Sequence, residues 1–304
     1  MDTSGIHFPS ELAELLKPLE HLDRPPLKLI IHAGTPKTGT TSIQTYLDKN
    51  QRKLRGQGIL YPHNIDRIRH PHAPKHQWFE KNLVTTHVEY FLENFRNIVS
   101  QVKEDTHTII LSSEGIFNYW WDFPDESKAL LSDLGTHFDT EIWTWFRDPL
   151  EFIEGFYKQC IRNPQVSSNP CYGKDISFAE MLELEWFSQH LNYQGFVSEC
   201  QELFGKSQVI AFQYEGDVVL AFKRELGLQT LQENSTPRLN KGLNATAIAL
   251  LRVINSYDVK AKDKERLMPH LREVGDIIEC YANETLVDDE SRKKVLEIAR
   301  PIQF

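Results

Sequence analysis

Residues 29–41 read LIIHAGTPKTGTT and decide the fold class of this chain. An apolar run leads into a turn bracketed by Gly34 and Gly39, and residues 42–49 then carry apolar side chains at helical spacing. A strand, a glycine-rich turn and a helix in this order point backbone N–H groups and the helix dipole at one place, where a phosphate can bind. The stretch therefore predicts an α/β fold with a phosphate site at the turn.

The turn differs from the nucleotide P-loop, G-x-x-x-x-G-K-[ST], in the position of its lysine. Thr40 stands where that motif has lysine, and the lysine lies inside the turn as Lys37. A lysine just before the helix reaches the β- and γ-phosphates of a triphosphate, and the next Ser or Thr holds Mg²⁺. A lysine within the turn, followed by hydroxyl side chains, instead lies over a short terminal group. An ordinary glycine turn between strand and helix is the alternative interpretation.

This turn resembles the 5′-phosphosulfate loop of sulfotransferases, which bind 3′-phosphoadenosine 5′-phosphosulfate (PAPS) on a fold related to the nucleotide kinases. The resemblance covers residues 27 to about 255 and is nearer to the carbohydrate and bacterial branch of that family. It implies a parallel β-sheet flanked by helices, in the P-loop kinase-like sulfotransferase fold, and a catalytic role for Lys37. It also implies that the cofactor is bound by the whole turn, Thr35, Pro36, Lys37, Thr38, Gly39, Thr40 and Thr41.

The pattern along the chain fits this architecture. Five apolar runs separated by helical segments predict parallel strands covered on both faces, at 27–33, 58–61, 108–111, 141–146 and 208–212. Helices are predicted at 10–22 and at about 86–103, residues 63–78 are loop-like, and the chain is helical from about 244 onward. We expect an N-terminal helical extension over residues 1–26 and one sulfotransferase domain over residues 27–304.

A carboxylate follows the third predicted strand. Ligands of open α/β sheets lie at the carboxyl ends of the strands, so Glu114 is expected to face the same crevice as Lys37. Sulfuryl transfer to a hydroxyl or amine needs a base, and a carboxylate serves when its pKa is raised. Resemblance to the carbohydrate sulfotransferases implies this role for Glu114, with His72 and His76 as further candidates for the base or for acceptor contact. The alternative is that Ser113 or Glu114 merely caps the next helix.

Arg147 follows the fourth predicted strand and precedes an Asp-Pro helix start, a position suited to bidentate phosphate binding. The segment is similar to the family's 3′-phosphate site, in which a serine and then a tyrosine follow on the helix. Tyr157 matches that tyrosine, whereas Gly155 replaces the serine. An ion pair of Arg147 with Glu151 or Glu154 is the alternative.

A later basic segment, residues 237–244, lies where the family often places a loop over the 3′-phosphate. This looser resemblance implies that Arg238 and Lys241 contact the cofactor, and an exposed loop before a helix is the alternative. A second basic region, residues 52–76, is either the rim of an acceptor pocket or a solvated loop.

The bulk composition narrows the class of protein. A net charge of −9 argues against general affinity for nucleic acid. The chain is 40% hydrophobic and 25% charged, as in soluble globular proteins, and no apolar stretch approaches the roughly 20 residues that cross a bilayer. The first residues do not resemble a signal peptide, and the four cysteines are widely spaced, which favours unbridged thiols in the cytoplasm.

These observations together predict a PAPS-dependent sulfotransferase that needs no metal. Its acceptor is expected to be a small molecule or a glycan with a hydroxyl or amine group, and Trp120 and Trp121 could stack on a sugar ring. The sequence does not define an oligomeric state. Two other functions stay open, an ATP- and Mg²⁺-dependent P-loop phosphotransferase and a nucleotide-binding module without catalysis. The first lacks the Gly-Lys-Ser/Thr of a P-loop and an aspartate closing a strand.

Overall fold

The computed structural model of the chain describes residues 8–20, 25–63, 75–228, 242–257, 259–279 and 285–303. The described residues form an α/β fold with a parallel five-stranded sheet flanked by helices. The chain divides into two compact units. Described residues of 1–146 and 196–233 form the first unit, and those of 147–195 and 234–303 form the second.

The sheet belongs to the first unit. Its strands are β1 (Lys28–His32), β2 (Ile59–Leu60), β3 (Thr108–Ser112), β4 (Asp139–Phe146) and β5 (Val209–Gln213), in the spatial order β2-β3-β1-β4-β5. Every pair is parallel, and Ile30 of β1 lies opposite Ile110 of β3 and Glu141 of β4. The prediction of five strands in a parallel sheet is therefore confirmed.

The described helices, in chain order, are α1 (Phe8–Glu20), α2 (Thr40–Lys49), α3 (Gln51–Arg55), α4 (Gln77–Thr85), α5 (Val88–Gln101), α6 (Gly115–Asn118), α7 (Asp125–His137), α8 (Pro149–Arg162), α9 (Phe178–Leu182), α10 (Glu185–Ser188), α11 (Tyr193–Phe204), α12 (Val218–Glu225), α13 (Ala245–Asn255), α14 (Ala261–Glu279) and α15 (Asp289–Ile298). The helices predicted at 42–49, at about 86–103 and beyond 244 are confirmed. The loop predicted over 63–78 ends at α4, which the sequence pattern did not predict, and residues 64–74 lie outside the described part.

The core of the first unit explains why these segments pack as they do. Side chains alternate between the two faces of a strand, so Ile30 and Ile110 lie on one face and Leu29 and Ile31 on the other. On the first face they are packed with residues of α2 and α12, namely Ile43, Leu47, Val218, Val219 and Phe222. Burial on both faces explains why β1 and β3 are mainly apolar, whereas β4 also carries polar residues and β5 is only partly buried.

The second unit is helical. Helix α8 packs on α13 and α15, and α13 packs on α14. The side chain of Asn255 donates hydrogen bonds to the carbonyl oxygens of Ile161 and Lys174, at 2.9 and 3.1 Å, and so joins α13 to the segment that follows α8.

The sequence predicts unbridged cysteines and no membrane-spanning segment. The described cysteines, Cys160, Cys171 and Cys200, are buried and form no disulfide with one another, and Cys280 lies outside the described residues. In the part of the chain that the structure describes, no helix combines the length and the apolar character that crossing a bilayer requires.

Candidate functional site

The turn after β1 is tightly held by its own hydroxyl groups. Thr38 Oγ1 donates to the carbonyl oxygen of Thr35 at 2.7 Å, and Thr35 Oγ1 donates to the carbonyl oxygen of Trp145 in β4 at 2.6 Å. Both threonines are buried, whereas the side chain of Lys37 at the tip of the turn is exposed. Lys37 has a φ of 67°, in the left-handed region, which is uncommon for a residue with a β-carbon.

Neighbouring side chains leave no room for a β-carbon at either glycine of the turn. A β-carbon on Gly34 would lie 2.3 Å from Oγ1 of Thr40, and one on Gly39 would lie 2.6 Å from Cγ1 of Val218. Gly39 also has a φ of 77°, which glycine adopts without steric cost. The backbone around Lys37 can take this shape because neither position carries a side chain.

The turn leads directly into the N-terminus of α2. Ser42 and Ile43 donate to the carbonyl oxygen of Gly39, at 2.8 and 3.2 Å. The amides of Gly39, Thr40 and Thr41 come before these first helical bonds, and such amides are the groups that bind anions at helix N-termini. Thr41 is exposed, whereas Thr40 is buried, with its hydroxyl 3.4 Å from the carbonyl oxygen of Thr35.

Glu114 follows β3 and is partly exposed. Burial raises the pKa of its carboxyl, and the positive charges of Lys75 and Lys37 act in the opposite direction. The two lysines are therefore close enough to Glu114 for their charges to be felt. Lys37 and Glu114 therefore lie within electrostatic reach of each other.

The side chain that caps α6 is that of Ser113. The amide of Gly115 donates to Ser113 Oγ at 3.2 Å, and Glu114 at the N-cap position makes no side-chain capping bond. The capping interpretation therefore applies to Ser113 and leaves the carboxylate of Glu114 available for other chemistry.

His76 has a structural environment. It is buried, its Nε2 lies 3.0 Å from the carbonyl oxygen of Pro62, and its Nδ1 accepts the amide N–H of Ser112 at 3.0 Å. Nε2 therefore carries the proton, since it faces a carbonyl oxygen. Burial lowers the pKa of His76 to about 4. Because both ring nitrogens are engaged with backbone groups, this geometry speaks against His76 as the base. His72 lies outside the described residues.

Three polar residues beneath the turn were not assigned a role from the sequence. His32 Nδ1 lies 2.8 Å from Ser112 Oγ, and Gln44 Nε2 donates to the same hydroxyl at 3.2 Å. All three side chains are buried, and burial lowers the pKa of His32 to about 3. They join β1, β3 and α2 directly below the turn. The sequence signal was a polar residue closing an otherwise apolar strand, at both His32 and Ser112.

A fourth unassigned residue is Glu80, in the first turn of α4. Its side chain is 5% exposed, and it accepts a 2.5 Å hydrogen bond from Ser113 Oγ. Burial raises its pKa to about 8. The position of Glu80 directly after two apolar residues, Trp78 and Phe79, gave no hint of burial, because α4 itself was not predicted.

The predicted 3′-phosphate residues belong to the second unit. Asp148 caps α8 by accepting the amides of Leu150 and Glu151 at 3.0 and 3.1 Å, which confirms the Asp-Pro helix start. Arg147 Nε lies 2.6 Å from Glu151 Oε2, so the ion pair considered as the alternative is present. The pair is at the surface, where Glu151 is 60% exposed, and its strength is correspondingly small.

Tyr157 lies in α8 and is buried. Its hydroxyl donates to the carbonyl oxygen of Ile176 at 3.0 Å, and burial raises its pKa to about 12. Through these contacts, Tyr157 contributes to the packing of the second unit. Arg238 and Lys241 lie outside the described residues, so their predicted cofactor contacts stay predictions.

The adjacent tryptophans divide between core and surface. Trp120 is buried, and its Nε1 donates to Glu199 Oε2 at 2.9 Å. Trp121 is partly exposed and packs edge-on against Phe117, with ring centroids 5.8 Å apart. Of the two rings, only that of Trp121 could contact a sugar.

Comparison with known proteins found no match among family models, curated proteins or solved structures.

Proposed function

We propose that this protein is a sulfotransferase that uses PAPS as donor and transfers the sulfuryl group to a hydroxyl or amine of a carbohydrate or other small acceptor. One observation carries the proposal. A lysine held in a left-handed turn at a helix N-terminus lies within electrostatic reach of a carboxyl whose pKa is raised by burial. An anion site beside a carboxyl base is the combination that sulfuryl transfer to a neutral acceptor needs.

The residues of the turn fit an anionic 5′ end of the donor. The missing β-carbons of Gly34 and Gly39 let the backbone curl around Lys37, and the amides before the first bonds of α2 supply donors. Thr41 is exposed next to these amides and can add a hydroxyl. Arg147 belongs to the second unit, and its role as a ligand of the 3′-phosphate stays a prediction from the sequence resemblance; binding a phosphate would require it to exchange its surface partner Glu151.

The donor, when bound, supplies a sulfuryl group whose bond to a phosphate oxygen breaks during transfer. Glu114 takes the proton from the acceptor as the new bond to sulfur forms, which leaves the carboxyl neutral. Lys37 stabilises the negative charge that grows on the phosphate oxygen. The raised pKa of Glu114 suits this role, because a stronger base shares the proton better in the transition state.

Calorimetry separates this function from its alternatives. We expect 3′-phosphoadenosine 5′-phosphate to bind without Mg²⁺ and about 100-fold more tightly than ATP with Mg²⁺, because the 3′-phosphate adds a charge-assisted contact. Tighter binding of ATP with Mg²⁺ would identify a phosphotransferase and overturn the proposal. Binding without any transfer of radiolabelled sulfate to a panel of sugars, amines and phenols would indicate a binding module.

A substitution of the base tests catalysis. Glu114→Gln should bind the nucleotide as the wild type does but transfer sulfate about 100- to 10,000-fold more slowly, because the amide accepts no proton. Glu104→Gln, at an exposed position before β3, is the matched control and should change neither quantity. Unchanged turnover in Glu114→Gln would refute the assignment of Glu114 as the base.

A further inference from the structure

Glu80 occupies an unusual place for a carboxyl side chain. It is buried beside the turn that carries Glu114, and Ser113 Oγ donates to its Oε2 at 2.5 Å. The same Ser113 hydroxyl accepts the amide of Gly115 at 3.2 Å. The two residues that flank Glu114 are thus joined to each other and to Glu80 through one hydroxyl group.

Gly115 and Glu80 are also fitted to each other by shape. A β-carbon on Gly115 would lie 2.1 Å from Cγ and 2.6 Å from Cδ of Glu80. The methylene chain of Glu80 therefore fills the space that a side chain at 115 would need. Packing on one side and the hydrogen bond to Ser113 on the other leave the turn little freedom to move.

Helix α4, which carries Glu80, is itself fixed to the end of β3. The amide of His76 donates to the carbonyl oxygen of Ser112 at 3.0 Å, and the ring of His76 accepts the amide of Ser112 at the same distance. His76 is the N-cap residue of α4. Lys75, the residue before it, acts electrostatically on both Glu80 and Glu114. The start of α4 and the turn after β3 thus form one connected structure.

We propose that Glu80 is the positioning residue for the base Glu114, which it holds in place through Ser113 and through close packing on Gly115. This inference rests on the proposed function for the role of Glu114 as base. Glu80 touches no reacting atom in this assignment. The side chain of Glu80 acts through its shape and by accepting a hydrogen bond from Ser113. Because this role needs no charge, glutamine should be able to fill it.

Kinetics of three variants test the proposal. Glu80→Leu removes the acceptor and should lower kcat about 10- to 100-fold with the KM of the donor within about twofold of wild type, since small displacements of a catalytic group cost about this much. Glu80→Gln keeps an acceptor of the same length and should restore kcat to within about threefold of wild type. Asn82→Leu, another buried polar residue of α4, is the control for disturbance of the helix and should leave kcat unchanged.

A second measurement does not depend on turnover. The carboxyl of Glu114 can be titrated by NMR in protein labelled with ¹³C at the glutamate carboxyls, with Glu114→Gln used for assignment. In Glu80→Leu the turn should loosen and water should reach Glu114, so its pKa should fall towards the ordinary value for glutamate. In Glu80→Gln the raised pKa should persist. If the wild-type protein transfers no sulfate, but the pKa of Glu114 falls in Glu80→Leu and stays raised in Glu80→Gln, the proposed function is refuted and the positioning role of Glu80 is supported.

Ser113→Ala keeps the test decisive if Glu80→Leu fails to fold. It deletes one hydroxyl, should lower kcat as Glu80→Leu does, and should shift the pKa of Glu114 in the same direction. The double variant Ser113→Ala with Glu80→Gln should be no worse than Ser113→Ala alone, because both act through one hydrogen bond. If Ser113→Ala and Glu80→Leu both leave kcat and the pKa of Glu114 at wild-type values, the proposal is overturned.

Discussion

His76 and Ser112 exchange two hydrogen bonds at the carboxyl end of β3. The amide of His76 donates to the carbonyl oxygen of Ser112, and the amide of Ser112 donates to Nδ1 of His76, each at 3.0 Å. The imidazole can accept this bond only when it is neutral, because a protonated ring has no acceptor nitrogen. The attachment of α4 to the sheet, and with it the position of Glu80, therefore depends on a neutral His76.

This dependence predicts that the contribution of His76 to stability is lost in acid. Glu80 acts in the opposite direction, because its pKa of about 8 lets the folded chain bind a proton that the unfolded chain releases above about pH 4.5. Burial lowers the pKa of His76 to about 4 and that of His32 to about 3, below the ordinary value of 6.5. At these two histidines the unfolded chain then binds more protons than the folded one below pH 6.5. The contribution is fully present above pH 6.5 and is lost as the pH falls through these pKa values, by about 1.4 kcal/mol per pH unit for each histidine.

Urea unfolding between pH 7.5 and 4.5, followed by tryptophan fluorescence, measures this loss. His76→Gln should unfold more easily at pH 7.5, and the difference in unfolding free energy between wild type and variant should shrink as the pH falls from 6.5 to 4.5. His87→Gln, at an exposed position of the same unit, should keep the wild-type dependence. Equal slopes in His76→Gln and the wild type would contradict the assignment of a buried neutral ring.

Replacing Lys37 by glycine should affect folding stability and sulfate transfer in opposite directions. Its φ of 67° costs a non-glycine residue about 1 kcal/mol, which glycine does not incur. Lys37→Gly should therefore have an unfolding free energy equal to or above that of the wild type. Transfer should fall about 100- to 1,000-fold, because the charge that stabilises the leaving oxygen is lost. The exposed Lys53→Ala is the control, and a Lys37→Gly protein that transfers sulfate normally would remove Lys37 from the site.

Gly39 and Gly216 form a matched pair for measuring crowding at the turn. Their φ values are 77° and 80°, but an added β-carbon meets Val218 at position 39 and nothing within 4 Å at position 216. Gly216→Ala should lose about 1 kcal/mol from backbone strain alone. Gly39→Ala should lose roughly 2 to 4 kcal/mol, because overpacking adds to the strain.

Chemical unfolding of both alanine variants gives these numbers. Adding Val218→Ala to Gly39→Ala should recover part of the loss, since it removes the atom that the new β-carbon would meet. Equal losses at the two glycines would mean that the turn moves away from Val218 at little cost.

Arg147 has a partner with which a phosphate would compete. Its ion pair with Glu151 is at the surface and is worth about 0 to 1 kcal/mol. Glu151→Gln should thus raise the affinity for 3′-phosphoadenosine 5′-phosphate by up to about fivefold, whereas Arg147→Ala should lower it at least about 10-fold. Glu154→Gln, one turn further along α8 and paired with Lys158, serves as control. A lower affinity in Glu151→Gln would place the phosphate elsewhere.

The sheet could be predicted from sequence because each strand contains a short apolar run between helical segments, although β5 at the edge of the sheet is only partly buried. The turn was equally accessible, since its glycines and Lys37 are contiguous in the chain. Helix α4 was not predicted, because the preceding His- and Pro-rich residues suggested a loop. Its apolar face, which includes Trp78, Phe79 and Leu83, was the signal available.

The supporting residues of the site depend on contacts between distant parts of the chain. Burial of Glu80 follows from the absence of a side chain at Gly115, 35 residues later, and no local pattern encodes that match. The contact of His32 with Ser112 depends on the register of β1 against β3, which pairs these two residues directly. Sequence periodicity predicts that two strands exist but does not state which residues lie side by side.

The hydrogen bond from Thr35 Oγ1 to the carbonyl oxygen of Trp145 fastens the turn after β1 to the strand β4 through contacts made within the protein itself. The turn has therefore already lost its conformational entropy during folding, and an arriving anion does not have to order it. A preorganised backbone offers the same amides at the start of α2 to sulfate, phosphate or a nucleotide. Discrimination among these anions must then come from the side chains that surround the turn.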